Sequence, residues 1–124
     1  MTTAVREAPT KTEVAAALER AREATLRLVE PLDDDLLLAQ VSPLMSPLVW
    51  DLAHIGWFEE LWLVRRLSGR ASDKRFDDVY DAFAHARAER SQLPILTPGE
   101  TLAYLRSIRR EALAVLEGVA LDDS

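Results

Sequence analysis

The fold is decided by residues 46–69, SPLVWDLAHIGWFEELWLVRRLSG. Ser46 suits a helix N-cap, Pro47 suits the first helical position because its missing amide hydrogen would lack a partner there, and Gly69 suits a helix end. Between Pro47 and Leu67, side chains at helical spacing form one mainly apolar stripe: Trp50, Ala53, His54, Trp57, Phe58 and Leu61. The pattern predicts a long amphipathic helix with His54 in its apolar stripe.

Two more long helices are predicted, one before and one after this segment. Thr10 with Glu13, and Thr97 with Glu100, form capping-box pairs, in which a hydroxyl and a carboxylate satisfy the first free amides of a helix. The first helix runs from Thr10 to the stop at Pro31, and its stripe is Val14, Leu18, Ala21, Thr25 and Leu28. The last helix covers residues 98–118, and its stripe is Leu102, Leu105, Ile108, Ala112, Val115 and Val119.

The remaining segments connect these helices. Residues 1–9 are predicted to be a flexible leader, residues 33–38 a short helical turn, residues 69–77 a loop and residues 78–90 a short helical piece. No segment alternates apolar and polar residues as a strand does. The predicted fold class is all-α, a bundle domain over residues 10–124. Since the sequence ends just after the third long helix, the fourth helix of a four-helix bundle is expected to be missing.

Composition narrows the function. The chain has 124 residues, which suffices for one domain, and its net charge of -6, with dispersed Lys and Arg, argues against nucleic acid as a partner. No cysteine occurs, so a metal would have to be held by His, Asp or Glu. No apolar run resembles a signal peptide or a membrane span. The expectation is a cytoplasmic protein that binds no membrane.

Few residues can carry chemistry, since His54 and His85 are the only histidines and their spacing matches no local metal motif. Taken alone, His54 is best explained as a core histidine bonded to a carboxylate such as Asp51. Arg87 and Arg90 lie three residues apart and could clamp a carboxylate, although a solvated helix face, paired with Glu89 or nearby acids, is the favoured explanation from the residues alone. From these residues alone, both explanations stay open.

A resemblance changes the interpretation of His54. The segment SPLMSPLVWDLAHIGWFEELWLVRR, residues 42–66, closely resembles the N-terminal DinB-like domain of actinobacterial ergothioneine-biosynthesis sulfoxide synthases, the hercynine oxygenases. The similarity continues through VYDAF at 79–83, SQLPIL at 91–96 and the helix at 98–118. It implies a non-haem Fe(II) held by three histidines, of which His54 matches the first. The other two belong to a later His-x-x-x-His helix that this sequence lacks.

The resemblance also implies a reaction and its substrates. The family joins the sulfur of γ-glutamylcysteine, or of cysteine in some branches, to hercynine with O2, which gives the sulfoxide of the ergothioneine pathway. Arg87 and Arg90 match an Arg-x-x-Arg pair that binds carboxylates of the thiol. The family's C-terminal domain, which carries the proposed catalytic tyrosine, is absent here, so no catalytic residue is assigned. The chain is expected to be an incomplete, inactive part of the enzyme, as a truncated product, a split protein or a fragment.

Two alternatives remain at this stage. One is a different DinB-like, metal-dependent thiol transferase, and the other is a non-catalytic helical interaction module in which His54 is a core residue. Without a fourth helix, the apolar faces around Trp57 and Leu105 are expected to be partly uncovered, which favours self-association.

Overall fold

All regular secondary structure in the described residues is helical. The computed structural model describes residues 8–69 and 76–121. Its elements, in chain order, are α1 (Lys11–Val29), α2 (Asp34–Leu38), α3 (Leu48–Glu59), a π-helical segment (Glu60–Arg65), α4 (Arg66–Ser68), a 3-10 helix (Arg87–Gln92) and α5 (Pro98–Gly118). The predicted all-α fold with three long helices is confirmed, the second being α3 with its continuation. The expectations for residues 1–7, 70–75 and 122–124 lie outside the described residues.

Both predicted capping boxes are present. The Thr10 hydroxyl accepts a hydrogen bond from the amide of Glu13 at 3.1 Å, and the Glu13 carboxylate accepts one from the amide of Thr10 at 3.2 Å. Thr97 and Glu100 repeat the arrangement at 3.2 Å and 3.0 Å. Each pair satisfies two amides that the first helical turn leaves free, and this sets the starts of α1 and α5.

The start of α3 differs from the prediction. Pro47, not Ser46, is the N-cap residue, and no side chain caps this helix. The buried Ser46 hydroxyl instead accepts a hydrogen bond from Arg90 Nη1 at 2.7 Å. A charged donor makes a stronger bond than a backbone amide, so the arginine takes the hydroxyl. At the other end Gly69 adopts a left-handed conformation with φ 70, which fits the predicted helix end.

The long helix is not continuously α-helical as predicted, because residues 60–65 form the π-helical segment. Two adjacent glutamates at its start both bind groups of the neighbouring helices. Glu59 binds Arg22 of α1 and Arg109 of α5, and Glu60 accepts a hydrogen bond from the Tyr104 hydroxyl at 2.7 Å. We interpret the wider turn as the backbone adjustment that lets neighbouring carboxylates both reach inward.

The core lies where α3 crosses α5. Gly56 permits the close approach, since a Cβ atom at that position would lie 2.8 Å from Leu105 Cδ2. The core residues around this crossing form three buried groups: Trp50, Ala53, Trp57, Phe76, Val79 and Tyr80; Leu37, Val49, Leu52 and Leu105; Val64, Ile108 and Ala112. None of the helices in the described ranges is long and apolar enough to cross a membrane.

Two residues that were predicted to lie on buried helix faces are exposed. Leu28 of the α1 stripe is 79% exposed, and the inward face passes instead through Leu18, the buried Arg22 and Leu26. This face of α1 lies inward because Arg22 forms an ion pair with Glu59 inside the bundle. Phe58, predicted on the apolar stripe, is also exposed.

The short helix predicted over residues 78–90 is also wrong. The segment forms turns followed by the 3-10 helix Arg87–Gln92. Two backbone carbonyl oxygens of this segment accept hydrogen bonds from side chains and not from the amide four residues later, as they would in an α-helix. The Val79 carbonyl accepts one from Trp50 Nε1 at 2.9 Å, and the Ala82 carbonyl accepts one from Arg90 Nη2 at 3.0 Å. In an α-helix these carbonyl oxygens would accept hydrogen bonds from backbone amides, so the bonds to side chains compete with helix formation.

The uncovered apolar surface lies elsewhere than predicted. Trp57 and Leu105 are buried, at 6% and 2% exposure. Exposed apolar side chains instead follow one side of α3 and its continuation at Ile55, Phe58 and Trp62. Self-association through the bundle stays a prediction, and this surface replaces the one first expected to mediate it.

Candidate metal and substrate site

His54 is half-buried on α3, and its Nδ1 lies 2.7 Å from the backbone carbonyl oxygen of Tyr80. A carbonyl only accepts hydrogen bonds, so Nδ1 carries the proton and donates it. In a neutral imidazole the other nitrogen, Nε2, then keeps its lone pair. Metal-binding histidines have this arrangement, since a backbone acceptor fixes the tautomer and the ring orientation.

Aromatic rings hold the imidazole in place. The Trp50 indole stacks on the His54 ring, with centroids 5.0 Å apart and planes 8° apart. Trp57 and Phe58 each lie 6.0 Å away, centroid to centroid. The ring is therefore fixed on several sides, and the bond to Asp51 that the sequence suggested is replaced by the bond to Tyr80.

His85 occupies a different environment from His54. Its Nε2 lies 2.8 Å from Asp78 Oδ2, and its Nδ1 lies 3.9 Å from Glu89 Oε2. Both of these carboxylates are mostly exposed. Across residues 8–69 and 76–121, no three His, Cys, Asp or Glu side chains group together as a metal site would require. Among the described residues, His54 is therefore the one imidazole that we consider as a metal ligand, and no second ligand lies beside it.

Arg87 and Arg90 differ in their surroundings, although the sequence treats them as a pair. Arg90 is buried, its two terminal nitrogens bind Ser46 and Ala82, and its guanidinium carbon lies 3.8 Å from the centre of the Trp50 ring. Arg87 is exposed, and among the described residues its Nη1 donates to the Leu44 carbonyl alone, at 3.3 Å. Arg87 is therefore the more available anion-binding group, and Arg90 braces the surrounding structure.

The two arginines line a cavity of about 200 Å³ together with Asp51, Ser46, Leu44 and Met45. Trp50 connects this cavity to the histidine, because its indole contacts both Arg90 and His54. A larger cavity of about 570 Å³ lies between α1, α2 and α5, but it contains none of the predicted site residues. The smaller cavity is the one that belongs with the candidate chemistry.

Asp51 is the acidic group of this cavity, and sequence reasoning considered it only as a partner for His54. Burial raises the pKa of its carboxyl group, while the nearby positive charges of Arg90, His54 and Arg87 act in the opposite direction. The spacing of Asp51 and His54, three residues apart on one helix, was the signal that could have placed both at one site.

Comparison with known proteins identifies the family of this chain. The family model of the DinB superfamily matches residues 17–123. A hercynine oxygenase of Mycolicibacterium smegmatis is 51% identical over 110 residues, which is 86% of this chain and 25% of that protein. Hercynine oxygenases of Mycobacterium tuberculosis and Mycolicibacterium thermoresistibile are 46% and 44% identical, over 89% and 92% of this chain and 26% of each relative.

The chain thus spans about a quarter of the length of the curated relatives it matches. The matched region contains the helix with His54 and the segment with both arginines. From the helical architecture of its described residues and the family match over most of its length, this chain belongs to the DinB superfamily, and it is similar to hercynine oxygenases.

Proposed function

We propose that this chain is part of a non-haem iron-dependent hercynine oxygenase of ergothioneine biosynthesis. The observation that carries the proposal is His54, whose Nδ1 is committed to the Tyr80 carbonyl and whose Nε2 is left to bind a metal. Identities of 44–51% to proteins named hercynine oxygenase support the choice of activity.

The residues present fit one part of an iron site. Imidazole is a suitable iron ligand, and helical bundles bind metals through side chains on facing helices. One histidine does not complete a site, so the remaining ligands would have to be residues other than those that the structure describes. When bound, the iron would supply the activation of O2 and a binding position for the thiol sulfur.

The proposed reaction is balanced with O2 as the only oxidant. The thiol S–H and the C2–H of the hercynine imidazole are lost, a C–S bond forms, and one oxygen atom is retained on sulfur. The other oxygen atom leaves as water with the two hydrogens. O2 thus accepts four electrons, two from forming the C–S bond and two from oxidising the sulfur.

The arginines would bind the thiol substrate, which is γ-glutamylcysteine or cysteine. Arg87 presents an exposed guanidinium to the cavity and would bind a carboxylate of that substrate. Arg90, buried against Trp50, would hold the cavity wall in place and add positive charge. Fixing the carboxylate there would orient the sulfur toward His54, which is the contribution that positioning makes to catalysis.

A chimera tests the proposal. The matched region of this chain would replace the corresponding region of the Mycolicibacterium smegmatis hercynine oxygenase, and formation of the sulfoxide would be measured by mass spectrometry. We expect the chimera to convert hercynine and γ-glutamylcysteine. Replacing both Arg87 and Arg90 by Ala should raise the KM for the thiol far more than the KM for hercynine. An inactive chimera that still binds iron, or equal effects on both substrates, would contradict the assignment.

A further inference from the structure

Two adjoining cavities lie along the seam between α1 and α5, and the proposed function uses neither of them. The first has a volume of about 390 Å³ and is lined mainly by arginines, and we call it the arginine cavity. The second, the apolar cavity, is the space of about 570 Å³ between α1, α2 and α5. Leu26 of α1 and Leu102 of α5 line both, so the two spaces meet at these residues.

The arginine cavity has an excess of positive charge, although acidic residues outnumber basic ones in the chain as a whole. Four arginines and one glutamate line it: Arg22, Arg106, Arg109, Arg110 and Glu19. Arg22 and Arg109 share the carboxylate of Glu59. Four positive charges therefore face two negative charges, and an anion is the ligand that would balance them.

Arg106 and Arg110 are the available donors of this cavity. Both side chains are exposed, and neither makes a hydrogen bond or an ion pair with another residue that the structure describes. They lie four residues apart on α5, roughly 6 Å along the helix, so one anion can bind both guanidinium groups. Glu19 competes weakly, because it is 61% exposed and lies 3.8 Å from Arg109 Nη1.

The apolar cavity has a base of aliphatic side chains. Leu37 of α2 and Leu52 of α3 are buried at this base. Half-buried aliphatic residues of α1 and of the turn after it, together with the Leu102 that faces both cavities, complete the wall: Leu26, Val29, Leu32 and Leu102. Apolar surface of this kind gains free energy when an alkyl chain displaces water from it.

The charges of the two cavities would orient a ligand along the seam. The charged residues that line the apolar cavity are mainly acidic: Glu23, Glu30 and Asp34, with Arg27. These carboxylates repel an anionic group, whereas the arginines of the neighbouring cavity attract it. A ligand with an anionic head and an apolar chain would therefore place its head among the arginines and its chain in the apolar cavity.

We propose that the seam between α1 and α5 binds an amphipathic organic anion, with its head at Arg106 and Arg110 and its alkyl chain in the apolar cavity. The site is lined by none of the residues assigned to iron or to the thiol, so the proposal does not depend on the proposed oxygenase activity. A volume of about 570 Å³ corresponds to roughly 19 water molecules at about 30 Å³ each, which is ample room for a chain of eight carbons.

The binding test uses octyl phosphate as the probe, at concentrations below those at which it forms micelles. The 15N-labelled chain would be titrated with octyl phosphate, with hexyl phosphate and with 1-octanol, which has the chain without the charge. We expect octyl phosphate to shift the amide signals of residues along the seam saturably. Hexyl phosphate should bind about ten-fold more weakly, because each fully buried methylene contributes about four-fold. Octanol should also bind at least about ten-fold more weakly, because the arginines would lose their anion.

Three variants locate the head of the ligand. Arg106→Ala should weaken octyl phosphate about ten-fold, while the control Arg20→Ala, which removes the same charge from an exposed position of α1 outside both cavities, should change it little. Glu19→Gln should strengthen binding about two- to five-fold, because it removes the carboxylate that competes with the ligand. A gain of affinity cannot arise from damage to the fold.

Several results would overturn the proposal. These are equal affinities for octyl phosphate and octanol, an affinity that does not depend on chain length, the same effect of Arg106→Ala and Arg20→Ala, or no saturable shift. Shifts of the same amides with protein concentration alone would indicate that a second copy of the chain occupies the seam, and would also overturn it. Tighter binding of octanoate than of octyl phosphate would identify the head as a carboxylate and support the site.

Discussion

Replacing Glu59 by Ala should cost this fold a large part of its stability. The Glu59 carboxylate lies between Arg22 of α1 and Arg109 of α5, with three nitrogen–oxygen distances of 3.0 Å. The exposed fractions of the Arg22, Glu59 and Arg109 side chains are only 9%, 8% and 11%. Burial lowers the pKa of Arg22, and Glu59 opposes that effect. The variant would leave two buried guanidinium groups without this anion.

Breaking such a buried ion pair costs about 3–5 kcal/mol, because the remaining charge stays out of water without compensation. Domains of this size are typically stable by about 5–15 kcal/mol, so the loss would be a large fraction of the total. A matched control uses the same arginine. Glu19 lies 3.8 Å from Arg109 Nη1 and is 61% exposed, so Glu19→Ala should cost about 1 kcal/mol or less.

The assay is urea unfolding at neutral pH, followed by far-ultraviolet circular dichroism, with the slope of each transition compared to confirm that both variants unfold from a similar state. We expect the free energy of unfolding to fall several times further for Glu59→Ala than for Glu19→Ala. If the two variants lose stability equally, the central role of the buried network in joining α1, α3 and α5 would be refuted.

Two further variants test the packing and the electrostatics near the site. Gly56→Ala should destabilise the fold despite the roughly 1 kcal/mol gain in helix propensity, because the new Cβ would lie 2.8 Å from Leu105 Cδ2 and overpacking costs about 1–3 kcal/mol. Gly118→Ala, with no atom within 4 Å of its Cβ, is the control, and a Gly56→Ala chain that melts no lower would contradict this packing. Asp51→Asn should raise the free energy of unfolding at neutral pH. The pKa of Asp51 in the folded chain lies above its ordinary value of 3.8, so ionisation of this carboxyl destabilises the fold. The destabilisation is absent below about pH 3.8 and grows as the pH rises from there through the raised folded pKa. Unfolding of the unmodified chain and of Asp51→Asn would be measured across this pH range. We expect the difference in their free energies of unfolding to grow with pH, and a difference that is independent of pH would exclude the ionisation of Asp51 as its source.

Local signals in the sequence predicted local structure well. The capping pairs at Thr10 and Thr97 lie within one turn of the amides they bind, so the starts of two helices could be inferred from neighbouring residues alone. Gly69 similarly marks the end of the continued α3 through its own backbone conformation. The interior position of Trp50 also followed from helical periodicity.

Features that depend on distant partners could not be predicted in this way. The π-helical segment accompanies contacts of Glu59 and Glu60 with residues 37 to 50 positions away in the chain. The segment after Phe76 is irregular because α3 side chains take its carbonyls, which no pattern within the segment reveals.

In the candidate site, too, the sequence predicted the features set by local spacing and not those set by distant contacts. Helical spacing placed His54 on the interior stripe, but its bond to Tyr80 depends on how a later loop folds back. Arg87 and Arg90 look equivalent in sequence, and only packing against Trp50 separates the buried residue from the exposed one. Asp51 was visible only as a neighbour of His54, because its position beside both arginines requires the tertiary fold.

The most direct test of the central claim is the iron content of the chimera with His54 or His85 replaced by Ala. We expect the unmodified chimera and His85→Ala to retain iron, since His85 pairs with carboxylates away from the site. His54→Ala should lose most of it, because each ligand of a multidentate site contributes strongly to its affinity. The isolated chain, with one candidate imidazole, should bind Fe(II) only weakly and form no sulfoxide. Full iron content in a folded His54→Ala chimera would contradict the assignment of His54 as an iron ligand.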